Sequence, residues 1–333
     1  MKAIFKTGNE LSARDIELPA LKTGQIRLRV EACGICGTDI HSSTDKEEQF
    51  GHEIAGTVLE LGEGVTDLKV GQKVVLDSAT PCGKCDHCKN AQQELCTDIQ
   101  SIWFVPSFGF AEEMIAPAIC AIPYEGLSPE VACLQEPLGV AIDLVRLADI
   151  KTSSNVLILG QGPIGLMATA LVRRAGARRL FATDLASRPR RLELAKQFGA
   201  DETFDPTQTA ISKFDYGCEI DRILVTAPPQ TLPETFETAS KGGIISYIGI
   251  AWGPGAKVTF DADAFHFKKL QLRASFASPA LYGPEAMRCL REGLVDGQAL
   301  VSHRFPLSRM QEAMDTARTD PGAVKVVVLP QQT

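Results

Sequence analysis

An apolar strand pattern, Val156-Leu157-Ile158-Leu159, runs straight into Gly160-Gln161-Gly162-Pro163-Ile164-Gly165, and no other stretch constrains the fold so tightly. A helical stretch follows to Arg174, and a second strand pattern, Arg179 to Thr183, ends in Asp184, nineteen residues after Gly165. Strand, G-x-G-x-x-G, helix, strand and terminal acid, in that order, define a dinucleotide-binding βαβ unit. Gly160 permits the tight turn, Gly162 lets the backbone approach a pyrophosphate, and Gly165 lets helix pack on strand. Pro163 and Ile164 open the helix whose N-terminus faces the phosphate charge. Asp184 is placed to accept from both ribose hydroxyls and to repel a 2'-phosphate, so NAD is expected in preference to NADP. Arg188, Arg190 and Arg191 pull the other way, because a guanidinium accommodates a phosphate.

The pattern around this unit extends it. Strand patterns at Asn155 to Leu159, Arg179 to Thr183, Arg222 to Thr226, Gly243 to Ile250 and Leu270 to Phe276 alternate with helical ones, which predicts a doubly wound parallel sheet over residues 150–276. Residues 1–149 read instead as short strands, such as Gln25 to Glu31 and Lys73 to Asp77, separated by glycine turns. They form a β-rich domain. A helix from Pro284 to Glu292 and a strand from Val324 to Leu329 occupy the last segment. A chain of 333 residues exceeds one ordinary core, so two domains are expected, as an α/β whole.

Composition removes several classes of function. A net charge of -7 argues against nucleic acid as a partner. No run approaches the roughly 18 uninterrupted apolar residues of a membrane span. The stretch Met1-Lys2-Ala3-Ile4-Phe5-Lys6 lacks a signal-peptide core, and ten cysteines without one suit metal and reduced thiols in the cytoplasm.

Four of those cysteines, Cys82, Cys85, Cys88 and Cys96, have the spacing C-x2-C-x2-C-x7-C. One tight loop can then wrap a Zn²⁺ ion with four sulfurs, a closed site that holds structure and does no chemistry. Upstream stands a set of opposite character: Cys36 in Gly34-Ile35-Cys36-Gly37-Thr38-Asp39-Ile40-His41, then His52 and Glu53. A thiolate, an imidazole and a carboxylate from separate segments leave one coordination position open, as a catalytic zinc requires. Each also fits a structural role singly: Cys36 as a small buried hydrophobe, His52 as a bonded loop histidine, Glu53 as a surface charge. Cys33 with Cys36 spells C-x-x-C, which admits a redox pair. Cys33, Cys120, Cys133, Cys218 and Cys289 read as buried apolar residues.

Taken together, these motifs resemble the zinc-dependent medium-chain alcohol dehydrogenase family, nearest its sorbitol, polyol and threonine dehydrogenase branch. Gly51-His52-Glu53, Gly109-Phe110-Ala111-Glu112, Glu136-Pro137-Leu138 and His303-Arg304-Phe305-Pro306-Leu307 extend the likeness, in family order, over almost the whole chain. The resemblance implies a GroES-like catalytic domain with a structural zinc lobe at 1–149 and 277–333, and a Rossmann coenzyme domain at 150–276. It implies two zinc ions per chain, NAD, and hydride transfer from a secondary alcohol, whether polyol, sugar-derived or amino alcohol. Thr38 and His41 would carry the proton away and Asp39 would orient His52. The resemblance leaves Glu53 and Glu136 both as candidates for the third zinc ligand. A homodimer or homotetramer with a small hydroxyl substrate follows.

The loop from Ser42 to Phe50 is shorter than the family's, with Asp45, Glu47 and Glu48 around Lys46, and Trp103, Phe104, Phe108 and Phe110 are expected to wall the substrate pocket in part. A zinc-independent quinone or enone reductase of the same superfamily, and a non-catalytic zinc- and NAD-binding scaffold, are the alternatives. The reductase would be expected to lack Cys36, His52 and the cysteine quartet, and the scaffold to show a degraded Thr38–His41 relay or a filled glycine motif.

Overall fold

The computed structural model describes residues 1–41, 45–251 and 253–332. The chain divides into two compact units, Met1–Gly139 with Ala277–Thr333, and Val140–Phe276.

The first unit is built on the strand Gln25–Gly34. Its side chains alternate, so Ile26, Leu28, Val30 and Ala32 are buried while Arg27 and Arg29 lie on the other face. It pairs with Glu53–Leu61 along its length and with Glu113–Pro117 at its start. The sheet runs Ala121–Pro123, Lys73–Leu76, Glu53–Leu61, Gln25–Gly34, Lys325–Leu329, Val301–Pro306. The C-terminal strand thus lies inside the sheet: Val327 pairs Gly34 and Val328 pairs Cys33, so it fixes the backbone just before Cys36. Leu28, Ile54, Phe110, Met114 and Val328 are in the core beneath it. Each Leu or Ile fully buried there stabilises the unit by roughly 1.5–3 kcal/mol. A smaller sheet joins Lys2–Thr7, Glu10–Asp15 and Glu48–Gln49, so the acidic end of the short loop is held as an edge strand. The Arg14–Glu47 ion pair lies beside it. The described part of that loop is folded against the N-terminal strand; Ser42 to Thr44 lie outside the described residues.

The second unit is a six-stranded, all-parallel sheet in the order Glu202–Phe204, Arg179–Thr183, Asn155–Leu159, Ile220–Val225, Ala239–Tyr247, Gln271–Ala274. Counted along the chain that order is 3-2-1-4-5-6, the doubly wound arrangement. Asn155–Leu159 is buried on both faces, which is why it reads as an unbroken apolar run. One strand begins at Ala239, ahead of Gly243, where the sequence pattern starts it. Ala239–Tyr247 runs through Gly242 and Gly243, with a register shift against Ile220–Val225 that absorbs them.

Candidate catalytic centre and cofactor sites

The glycine motif occupies the turn after the first strand of the parallel sheet. Gly160 has a φ of 86°, which an L side chain rarely adopts, and Gly165 comes so close that a Cβ would lie 2.0 Å from the Gly160 carbonyl oxygen. Gly162 faces open space, with nothing within 4 Å of the point a Cβ would occupy, where a pyrophosphate needs bare backbone. The helix Pro163–Arg174 starts immediately after it. Thr226 Oγ1 shares its hydrogen between the Leu159 and Gly160 carbonyls and ties the turn to the fourth strand. Asp184 accepts from the amides of Gln161 (3.0 Å) and Leu185 (2.7 Å), and Arg191 lies 3.7 Å from its Oδ2. Arg188 precedes the helix Pro189–Gln197, Arg190 pairs with Glu193, and Arg191 has its guanidinium beside the acid.

Cys82, Cys85, Cys88 and Cys96 converge, each sulfur within 4.8 Å of the others, and Cys85 Sγ is 3.8 Å from Cys96 Sγ. A tetrahedron with Zn–S bonds of about 2.3 Å has edges of about 3.8 Å, so the donor set fits zinc. Backbone amides add to the fit: Cys82 Sγ accepts from Lys84 (3.4 Å) and Cys85 (3.3 Å), and Cys96 Sγ from Cys82 (3.3 Å). Amide donors at Cys88 and Thr97 pull the Cys85 thiol down to about 6, while burial pushes Cys88 up to about 12.

Cys36, His52 and Glu53 form the second cluster, with one ligand atom of each within 4.8 Å of the others. Cys36 precedes the short helix Gly37–His41, and its amide donates to Asp39 Oδ2 at 2.8 Å. Asp39 Oδ1 stands 3.8 Å from His52 Nδ1, which is buried and has no hydrogen-bond partner. Burial disfavours a charged His52, but Cys36, Asp39 and Glu136 outweigh it and hold the imidazole well above the usual histidine range. A cysteine sulfur, an imidazole and a carboxylate are a donor set suited to zinc. Thr38 is half-buried and His41 exposed at the end of the same helix. Glu136, at the start of the helix Gln135–Leu147, lies outside the three-residue cluster; burial pushes its carboxyl up to about 7, with His52 pulling the other way.

Two lysines complete the centre, and neither belongs to a readable motif. Lys325 is buried, and its Nζ donates to Glu53 Oε1 (2.7 Å), Glu53 Oε2 (2.6 Å) and the Ile35 carbonyl (3.0 Å). Burial opposes its charge, and Glu53, Cys36 and Cys133 together more than offset that and hold it above the usual lysine range. Lys6, also buried, donates to the Asp39 carbonyl at 2.5 Å. Only the pairing of distant strands brings either lysine here.

Of the aromatics expected in a pocket wall, Trp103 stacks at a tilt on His52 (5.5 Å between centroids) and on Phe108 (5.0 Å). Phe110 does not belong with them: it is a core residue, edge-on to Phe50 at 4.8 Å. Phe104 is 71% exposed and lines a separate cleft with Lys22, Pro117 and Ile119. Among the remaining cysteines, Cys33, Cys120, Cys133 and Cys289 are buried and Cys218 is half-buried, near Arg178 and Arg179.

Residues 22–126 match the alcohol dehydrogenase GroES-like domain and residues 163–292 the zinc-binding dehydrogenase domain. An L-threonine 3-dehydrogenase of Saccharopolyspora erythraea is 31% identical over 96% of this chain and 96% of its own length. A sorbitol dehydrogenase of Bacillus subtilis is 30% identical over 99% of this chain and 97% of its own. The crystal structure of a short chain alcohol dehydrogenase of Escherichia coli CFT073, complexed with NADH, superposes with a TM-score of 0.87 at 27% identity over 99% of each chain. The chain belongs to the zinc-dependent medium-chain alcohol dehydrogenase family. It is an NAD(P)-dependent oxidoreductase that takes a hydride from a secondary alcohol and leaves a ketone. Among the described residues no helix is long and apolar enough to cross a membrane.

Proposed function

We propose that Cys36, His52 and one of the two carboxylates, Glu53 or Glu136, hold a catalytic zinc, and that Cys82, Cys85, Cys88 and Cys96 hold a structural one. When bound, the catalytic metal supplies a Lewis acid that makes a hydroxyl easier to deprotonate. The rest falls to the chain. Thr38, two residues after Cys36, meets the reacting hydroxyl and passes its proton on; His41, exposed one turn later, delivers it to solvent. Asp39 fixes the loop through the Cys36 amide and faces His52, while Lys6 fastens the same helix from the N-terminal strand. The observation that carries this reading is the convergence of one thiolate, one imidazole and one carboxylate beside that helix. Glu53 is the carboxylate of that cluster, with both its oxygens accepting from Lys325, and Glu136, whose charge acts on His52, is the other candidate.

NAD is the expected cofactor, because Asp184 stands at the end of the second strand of the parallel sheet, and the E. coli relative carries NADH. Arg191 beside Asp184 is the residue that would soften this preference. Substrates are polyols, sugar-derived alcohols or amino alcohols. A cytoplasmic setting accords with ten cysteines, none of them paired in a disulfide. The edge strand Gln271–Ala274, with Phe267 and Phe276 72% and 77% exposed near it, supports a homodimer through that edge.

The test is kinetic. Cys36→Ser should lose one of two zinc ions and all turnover, whereas His41→Gln and Thr38→Ala should keep both ions and slow kcat by about 10² to 10⁴. Full activity with an unchanged pH profile in both relay variants would remove the relay and leave the metal centre standing.

A further inference from the structure

Next to Glu136 in the chain stands Gln135, whose Nε2 donates to Asp77 Oδ1 at 2.7 Å. Both partners are buried, and they come from separate elements: Asp77 follows the strand Lys73–Leu76, and Gln135 opens the helix Gln135–Leu147. Asp77 is itself pinned, since its amide donates to the Cys120 carbonyl at 2.9 Å. Gly283, first residue of the helix Gly283–Arg291, closes over the pair. A Cβ there would lie 2.7 Å from Asp77 Oδ1 and 2.9 Å from Gln135 Nε2, so any side chain at 283 would press on both.

As a device for stability the pair is poor. Gln135 Oε1 is buried and accepts from nothing among the described residues, and a bare acceptor costs stability that apolar side chains of the same shape would save. What the contact does achieve is to fix the first turn of a helix, the part that frays most readily. Glu136 is the next residue of that turn. Its charge acts on His52, and the charge of Asp77 acts on it, so pair and metal cluster lie within electrostatic reach of one another. We propose that Asp77 is a positioning residue, which by holding Gln135 sets where the Glu136 carboxyl stands toward Cys36 and His52. This rests on the reading given above that Cys36, His52 and a carboxylate hold a metal, and it takes Glu136 as a carboxylate of that centre. A ligating group must be held to within about 0.5 Å. A glutamate has three side-chain torsions of its own, so its backbone has to be fixed by something else.

The experiment uses the full chain with zinc kept in the cysteine quartet and cobalt(II) titrated into the Cys36 and His52 centre, where its visible absorption reports the ligand geometry. Asp77→Leu with Gln135→Leu removes the pair and leaves neither partner orphaned, so the urea midpoint should hold or rise. Cobalt affinity should nonetheless fall by about 10- to 100-fold and the absorption bands should shift. Asp77→Asn keeps an acceptor for Gln135 Nε2 and should restore wild-type bands and affinity. Should the double variant not fold, Gln135→Met, which cuts the tie and keeps the volume, is read in the same way. A stable variant without the pair that binds cobalt as wild type does, with unchanged bands, would overturn the proposal and leave the pair a packing contact. Equal damage in Asp77→Asn would also overturn it, by assigning the effect to the charge of Asp77 and not to its hold on Gln135. Unchanged bands in Glu136→Gln, with cobalt lost in Cys36→Ser, would put Glu136 outside the centre; the proposal would fall and the metal centre would stand. Cobalt bound unchanged by Cys36→Ser would remove the reading of the centre, and this proposal with it.

Discussion

Lys325 and Glu53 stand 272 positions apart in the sequence and share a buried ion pair with both carboxylate oxygens engaged. Nothing local announces it. Lys325 reads as one charge in an apolar strand, and only the antiparallel register of that strand against Gln25–Gly34 shows its partner. Cys36, His52 and Glu53 stand out in the sequence as a candidate set because few side chains ligate a metal, whereas a counter-ion can be any lysine the fold delivers. Removing one partner leaves a buried charge alone, so Lys325→Met should destabilise the chain by about 3–5 kcal/mol in urea unfolding. Adding Glu53→Gln should recover most of that loss; a double variant no more stable than the single would show that the cost lies in packing and not in the orphaned carboxylate. Asp77 offers a second test at this scale. It is buried against Gln135 Nε2 (2.7 Å), and burial lifts its carboxyl from the ordinary 3.8 to about 6. The folded state thus holds the proton more tightly than the unfolded chain does. The resulting stabilisation is full below about pH 4 and is lost as pH rises through about 6. Relative to Asp77→Asn, which keeps an acceptor for Gln135 and cannot ionise, wild type should lose about 3 kcal/mol between about pH 4 and about pH 8. Parallel stability profiles for the two would contradict this account.

At the scale of elements, the sequence spoke most clearly where backbone geometry leaves one residue type. Gly160, at positive φ, and Gly165, against the Gly160 carbonyl, are such places. In Gly165→Ala the new methyl would meet backbone, which cannot swing aside as a side chain can. The helix Pro163–Arg174 must move from its strand, and NADH affinity should fall about tenfold or more in a fluorescence titration. Unchanged affinity would mean that the turn relaxes without disturbing the phosphate site. Gly243 marks the limit of the same reasoning, since the sequence pattern starts a strand there and it lies inside one, at a register shift that no single-strand pattern reveals. The cysteine lobe is readable as a candidate zinc set because its four cysteines lie within one short loop. Cys85→Ser should remove one zinc ion and leave Cys36, His52 and the second ion in place, as metal analysis of the purified variant would show.

For the molecule as a whole, the alternation of strand and helix after residue 150 was enough to expect a doubly wound sheet, because both periods are strong there. Sheet edges are another matter, since sequence does not say which strand has a free side. Gln271–Ala274 is an edge of the parallel sheet, paired only with Ala239–Tyr247 among the described residues. Its outer amides and carbonyls form a row open to pairing, and Leu272, Phe267 and Phe276 expose apolar surface around it. A lone chain would carry that edge as an aggregation hazard; a twofold axis across it would pair strand with strand and bury about 800 Å² per partner if the interface is of ordinary size. Sedimentation velocity should therefore find wild type as a dimer or a multiple of one. Leu272→Lys with Phe276→Asp sets charge in the seam and should shift the population to monomer at micromolar concentration, with zinc content unchanged because both cysteine clusters lie in the other unit. Val70→Lys, an equally exposed apolar site elsewhere, should leave the assembly as it is. A wild type that sediments as a monomer, or a double variant that stays assembled, would place the subunit contact away from this edge and leave its exposed phenylalanines without a partner.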